Sequence, residues 1–155
     1  MKKAWIRFGV LAALALLFLS FALFASVLAP FDPLESHYTD MLKAPGGTYL
    51  FGTDQLGRDL FSRILYGGKS SLLIAFAVTA IISSVGIVIG TVAGFAGGIF
   101  DNLLMRISDM LMAFPGYIFT IALVSFIGVG LPNMILAMSL TGWTFYARIS
   151  RSLVL

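Results

Sequence analysis

The sequence contains no cysteine, which removes disulfides and thiolate metal sites from consideration. It has a single histidine, His37. One histidine among scattered carboxylates (Asp32, Glu35 and Asp40) reads as a solvated loop, not a metal centre. Charge is scarce too. Only 11% of the 155 residues are charged, against about 25% in an ordinary soluble domain. With 59% hydrophobic residues and a mean hydropathy of +1.00, the chain has too little polar surface to coat a soluble fold. The net charge of +3 is small and gathers near the ends of apolar stretches. It is an orientation signal and does not point to nucleic acid.

What is present is a set of long charge-free runs. No Asp, Glu, Lys or Arg occurs in residues 8–31, 70–100 or 110–147. A helix needs about 20 apolar residues to cross a hydrocarbon core of about 30 Å, so each of the first two runs fits one span. The third, as one helix at 1.5 Å per residue, would be about 57 Å long, so it must turn and cross twice. The expectation is an all-α transmembrane helical bundle with four spans in this chain, embedded in a lipid bilayer.

The first run starts after Lys2, Lys3 and Arg7 and ends near Ala25-Ser26-Val27-Leu28-Ala29, which imitates a signal peptide. Its 22 apolar residues from Phe8 to Ala29 exceed the 7–15 of a signal core, so it is read as a retained span. Residues 30–69 form the one long polar segment, opened by Pro30 and Pro33 and turned by Pro45-Gly46-Gly47. Within it, Asp54 or Thr53 is the expected cap of a short amphipathic helix lying at the membrane surface before the second span. Leu56, Leu60, Phe61, Ile64 and Leu65 form its apolar face, with Arg58, Asp59, Ser62 and Arg63 away from it. Gly67 and Gly68 are expected to end it.

The second span runs from about Leu72 to Phe95 and carries Gly86, Gly90 and Gly94. Small residues every four positions make a smooth stripe on one face, which allows a second helix to approach closely in lipid. The third span, about Leu104 to Ile127, should kink at Pro115. Gly128-Val129-Gly130-Leu131-Pro132-Asn133 is the turn into a fourth span that begins near Met134. With the N-terminus inside, Lys2, Lys3, Arg7, Arg106, Arg148 and Arg151 lie inside and Lys43, Arg58, Arg63 and Lys69 outside, a modest positive-inside bias.

Catalytic chemistry is missing. Gly67-Gly68-Lys69-Ser70 imitates the end of a phosphate-binding loop, but Arg63 stands where the pattern needs glycine. No nucleophile and base pair up, no ionisable residue sits deep in a span, and the seven methionines are ordinary apolar filler. The chain is read as a non-enzyme without a cofactor of its own.

The segment Phe51-Gly-Thr-Asp-Gln-Leu-Gly-Arg-Asp-Leu-Phe-Ser-Arg63 resembles a signature of bacterial dipeptide, oligopeptide and nickel ABC-transporter permeases of the C-subunit type. So do Arg106-Ile-Ser-Asp-Met-Leu-Met-Ala-Phe-Pro115, Gly128-Val-Gly-Leu-Pro-Asn133 and Trp143-Thr-Phe-Tyr-Ala-Arg-Ile-Ser-Arg151. The second and fourth of these lean towards nickel-type members. The resemblance implies a multi-pass bacterial inner-membrane permease of six spans with a cytoplasmic N-terminus. Its implied partners are a second permease, two ATPase subunits that bind the ATP, and an extracytoplasmic substrate-binding protein. It makes residues 1–69 the first span plus an outer loop, and 70–155 an incomplete type I importer transmembrane domain that ends before the ATPase-docking loop. Cargo would move by alternating access, with helix contacts at Gly86, Gly90 and Gly94 and a flexing point at Pro115. The signature residues Gly52, Thr53, Asp54, Gly57, Arg58, Asp59, Ser62 and Arg63 would lie on the outer face near the docked binding protein, Arg58 and Asp59 making polar contacts or only anchoring the segment. The alternative from another class is a non-transporting four-span scaffold or assembly protein.

Overall fold

The structure is a computed structural model that describes residues 2–155, with side chains from Trp5 onward. The side chains of Lys2 and Lys3, two of the six cations assigned to the inner side, lie outside the described residues. The described chain is built from helices: α1 (Lys2–Leu23), α2 (Ala25–Leu28), α3 (Leu60–Ala96), α4 (Gly98–Ala113), α5 (Gly116–Ile127) and α6 (Leu131–Val154), with a short 3-10 turn at Tyr38–Asp40. It divides into two compact units, Met1–Leu72 and Leu73–Leu155.

Two helices are long and apolar enough to cross a membrane, Trp5–Leu23 and Leu60–Ala96. A third crossing is available if α4 and α5 act as one broken span, bent by 86°. Two or three crossings fall short of the four expected: α6 stands where the fourth was predicted and its 24 residues reach about 36 Å, but it is not apolar enough to count as a crossing helix. It is more polar than the others because Asn133, Thr141, Thr144, Arg148 and Arg151 lie along it. In both units large apolar side chains such as Phe18, Phe76, Phe95, Ile121 and Phe126 point outward. That is the arrangement of a protein whose solvent is lipid, where apolar surface need not be hidden.

Two local expectations are overturned. Gly67 and Gly68 do not end a separate amphipathic helix; α3 runs unbroken for 37 residues from Leu60 to Ala96. Each glycine costs a helix about 1 kcal/mol, but a break near the hydrocarbon would strand backbone groups at several kcal/mol each. The N-cap is Asp59, in place of Asp54 or Thr53: one of its carboxylate oxygens accepts the Ser62 N–H at 2.8 Å and the Ser62 hydroxyl at 2.7 Å. Ser62 is fully buried and Leu65 nearly so, while Ile64 is exposed.

Pro115 does more than kink a span. α4 stops at Ala113, Phe114 is extended, and α5 restarts at Gly116. Proline excludes the helical conformation for the residue before it and is itself tolerated at a helix start.

Candidate functional site

In the first unit, the signature segment folds into a tight loop that leads into α3. Thr53 and Asp59 form an antiparallel bridge, and Leu60 N–H donates to Gly52 O at 3.1 Å. The loop closes only because two positions lack a side chain. Gly57 has φ +74°, and a Cβ there would run into the backbone carbonyl of His37. Gly52 has φ +76° and would meet the carbonyl of Lys43. Both conformations are unfavourable for any residue with a Cβ.

Asp54 is the hub. Its carboxylate accepts the backbone N–H groups of Leu56 at 2.8 Å and Arg58 at 3.0 Å, the Arg58 Nε at 2.9 Å, and an Arg63 guanidinium N–H. Partial burial pushes this carboxyl up, but the backbone donors of Arg58 and Leu56 and the Arg58 guanidinium outweigh it and hold the pKa at about 2. A second hub sits beside it. Asp40 accepts Lys43 Nζ and Tyr49 Oη, each at 2.6 Å. These bonds hold the Asp40 carboxyl below its ordinary range and raise the Tyr49 phenol.

Arg58 pairs with Asp54 within the loop, and Asp59 is only 2% exposed. Ser62 joins the same network and receives the Phe31 N–H at 3.2 Å. Among the described residues no group of three metal-ligating side chains converges.

In the second unit, the glycine stripe of α3 lies against α6. A Cβ at Gly86 would stand 2.5 Å from Trp143 O and 2.6 Å from Tyr146 Cβ. At Gly90 it would collide with Ala147 O and stand 2.8 Å from Ala147 Cα. At Gly94 it would be 3.0 Å from Val154 Cβ. From the other side, Gly142 faces Ile82, where an added Cβ would be 2.9 Å from Cγ2. The pairs 82 with 142, 90 with 147 and 94 with 154 rise together in number, so the two helices run parallel. Parallel neighbours start on the same side of a membrane, so the chain between them, α4 and α5, must cross back once.

α4 is tied to the end of α6 by two ion pairs. Arg151 meets Asp101 with Nε and Nη2 each at 2.5 Å, and Arg148 meets Asp109. Asp101 is buried, so the bidentate guanidinium is the compensation it needs. The sequence places Arg148 and Arg151 on the inner side but does not show that Asp101 and Asp109 are their partners. Beside the seam, Ile81 and Val85 of α3 and Ile135, Leu136, Ser139 and Trp143 of α6 line an open apolar groove of about 660 Å³.

Residues 86–155 match the family described as "Binding-protein-dependent transport system inner membrane component". That range opens at Gly86 and takes in the glycine seam, both ion pairs, the break at Pro115 and all of α6. Similarity extends further in individual transport permeases. The chain is 39% identical over 146 residues to the nickel transport system permease protein NikC of Escherichia coli K12, covering 94% of this chain and 51% of the relative. It is 37% identical over 140 residues to the probable D,D-dipeptide transport system permease protein DdpC of the same strain, covering 90% and 47%. With the di/tripeptide transport system permease protein DppC of Pseudomonas aeruginosa UCBPP-PA14 it shares 36% over 167 residues, covering 100% and 55%. The chain spans about half the length of the curated relatives it matches. These relatives are transport permeases, not enzymes, and with the apolar helices they make this chain a multi-pass inner-membrane protein.

Proposed function

We propose that this chain forms part of the translocation subunit of an ATP-driven importer for nickel or small peptides. The observation that carries the reading is the parallel α3–α6 seam, glycine against backbone, lying inside the residues that match the transport component family. A seam this close makes α3 and α6 one rigid body. The α4–α5 break at Pro115 supplies a joint at which that body and its neighbour can change angle during alternating access. Residues 1–69 supply the first span and the outer loop, and residues 70–155 the start of the transmembrane domain. The N-terminus lies in the cytoplasm, which puts the Asp101–Arg151 and Asp109–Arg148 pairs on the cytoplasmic side and the Gly52–Arg63 loop outside.

The partners of this reading are a second permease, two ATPases that bind ATP, and an extracytoplasmic binding protein. The signature residues serve it indirectly, because Asp54 and Asp59 hold the outer loop rigid at the mouth of α3. Uptake of radiolabelled nickel and of a radiolabelled dipeptide tests the proposal, in cells holding the permease with its partner proteins. One of the two should accumulate, and accumulation should require both ATP and the binding protein. No energy-dependent uptake of either would remove the reading.

A further inference from the structure

We propose that a pocket on the first unit, beside the start of α3, binds the phosphate of a membrane phospholipid. The pocket holds about 280 Å³ and is lined by Pro33, Leu34, Arg63, Tyr66, Gly67 and Ser70. The last four are spaced i, i+3, i+4 and i+7, so they form one strip along the helix. Arg63, Tyr66 and Ser70 give that strip three hydrogen-bonding side chains. Arg63 gives one guanidinium N–H to Asp54 and keeps the others; its side chain is 38% exposed. Among the described residues, no protein group bonds to the hydroxyls of Tyr66 and Ser70. Lys69 holds its ammonium 6.0 Å from the Tyr66 ring centroid, at the edge of the strip.

Gly67 belongs to the lining, and a Cβ built there meets no atom within 4 Å, so a larger side chain at this position has room to occupy the pocket. Lys69 is in no ion pair among the described residues.

Depth selects the source of the phosphate. The charge-free run of α3 starts at Ser70, so the pocket stands where hydrocarbon gives way to headgroups. An arginine, a tyrosine hydroxyl and a serine hydroxyl at that level can hold a phosphodiester. The assignment depends on membrane insertion of α3 and not on the transport reading.

Native mass spectrometry of the intact protein released from nanodiscs is the test. The nanodiscs contain equal amounts of a phosphatidylglycerol and a phosphate-free galactolipid with the same acyl chains. The wild type should retain the phospholipid about tenfold over the galactolipid, the ratio one charge-assisted contact provides. Gly67→Leu, which fills the pocket, should bring the ratio to one, with helix content by circular dichroism unchanged. Lys69→Gln and Ser70→Ala should each lower the ratio without abolishing it. Equal retention of both lipids by the wild type overturns the proposal, as does a ratio that survives Gly67→Leu. Displacement of the lipid by excess inorganic phosphate would make this a site for a free anion and would equally overturn it.

Discussion

Replacing Gly90 by alanine puts a methyl group against the backbone of Ala147. The new Cβ would sit 2.8 Å from the Cα and carbonyl carbon of Ala147, where carbon atoms rest at about 3.5–4.0 Å. Both obstacles are main chain, so no rotamer change relieves them, and α3 and α6 must part locally by about 1 Å. A gap of that size forfeits between about a quarter and a half of each dispersion contact across the seam. Overpacking of this kind costs about 1–3 kcal/mol, and the better helix propensity of alanine returns about 1 kcal/mol. The expected net loss is up to about 2 kcal/mol. Unfolding in mixed micelles against increasing dodecyl sulfate, followed by the fluorescence of Trp143 in the seam, measures it. Gly86→Ala should lose a similar amount, and Gly94→Ala less, because its first obstacle is the side chain of Val154. Gly116→Ala, which meets nothing within 4 Å, is the control and should be neutral or stabilising. If Gly90→Ala is as stable as that control, the close approach is not what holds the helices together.

Other consequences follow from the same geometry. Asp54 is held at about 2 against an ordinary 3.8. Its contribution to loop stability is therefore complete above pH 3.8 and lost as pH falls through 2; Asp54→Asn should remove this acid step from the amide-exchange profile of Leu56 and Arg58. Gly57→Ala should destabilise the outer loop by about 1–3 kcal/mol, seen as faster proteolysis between α2 and α3 while α6 stays protected. Arg151→Gln strands the buried Asp101 and should destabilise more than Arg148→Gln, whose partner Asp109 is largely exposed; equal effects in thermal unfolding would contradict the difference in burial. Pro115→Ala restores a backbone donor and should straighten the 86° bend, read as a longer distance between spin labels on α4 and α5.

The large features were legible because they depend on composition over long windows. Charge-free runs gave α1 and the apolar body of α3, and the four-residue spacing of Gly86, Gly90 and Gly94 marked one helix face. What sequence could not supply was the environment that decides between local rules. Gly67-Gly68 reads as a stop in water, yet the helix continues because lipid penalises a broken backbone more than glycine does. Asp54 or Thr53 reads as the helix cap, yet Asp59 caps α3 and is buried with Ser62. The ion pairs Asp101–Arg151 and Asp109–Arg148 join residues 50 and 39 apart in the chain, beyond the reach of any local pattern. Asp59 shows a remaining gap in physical terms, since its second carboxylate oxygen is buried without a partner.

The absence of cysteine from the chain makes the central claim, a parallel α3–α6 seam, directly measurable by disulfide trapping in membranes. Cysteine pairs at positions 82 and 142, and at 94 and 154, should cross-link readily under mild oxidation, since both pairs face each other across the seam. A pair at 82 and 154 should not. Cross-linking of 82 with 154 in place of the other two would mean antiparallel helices and would contradict the account.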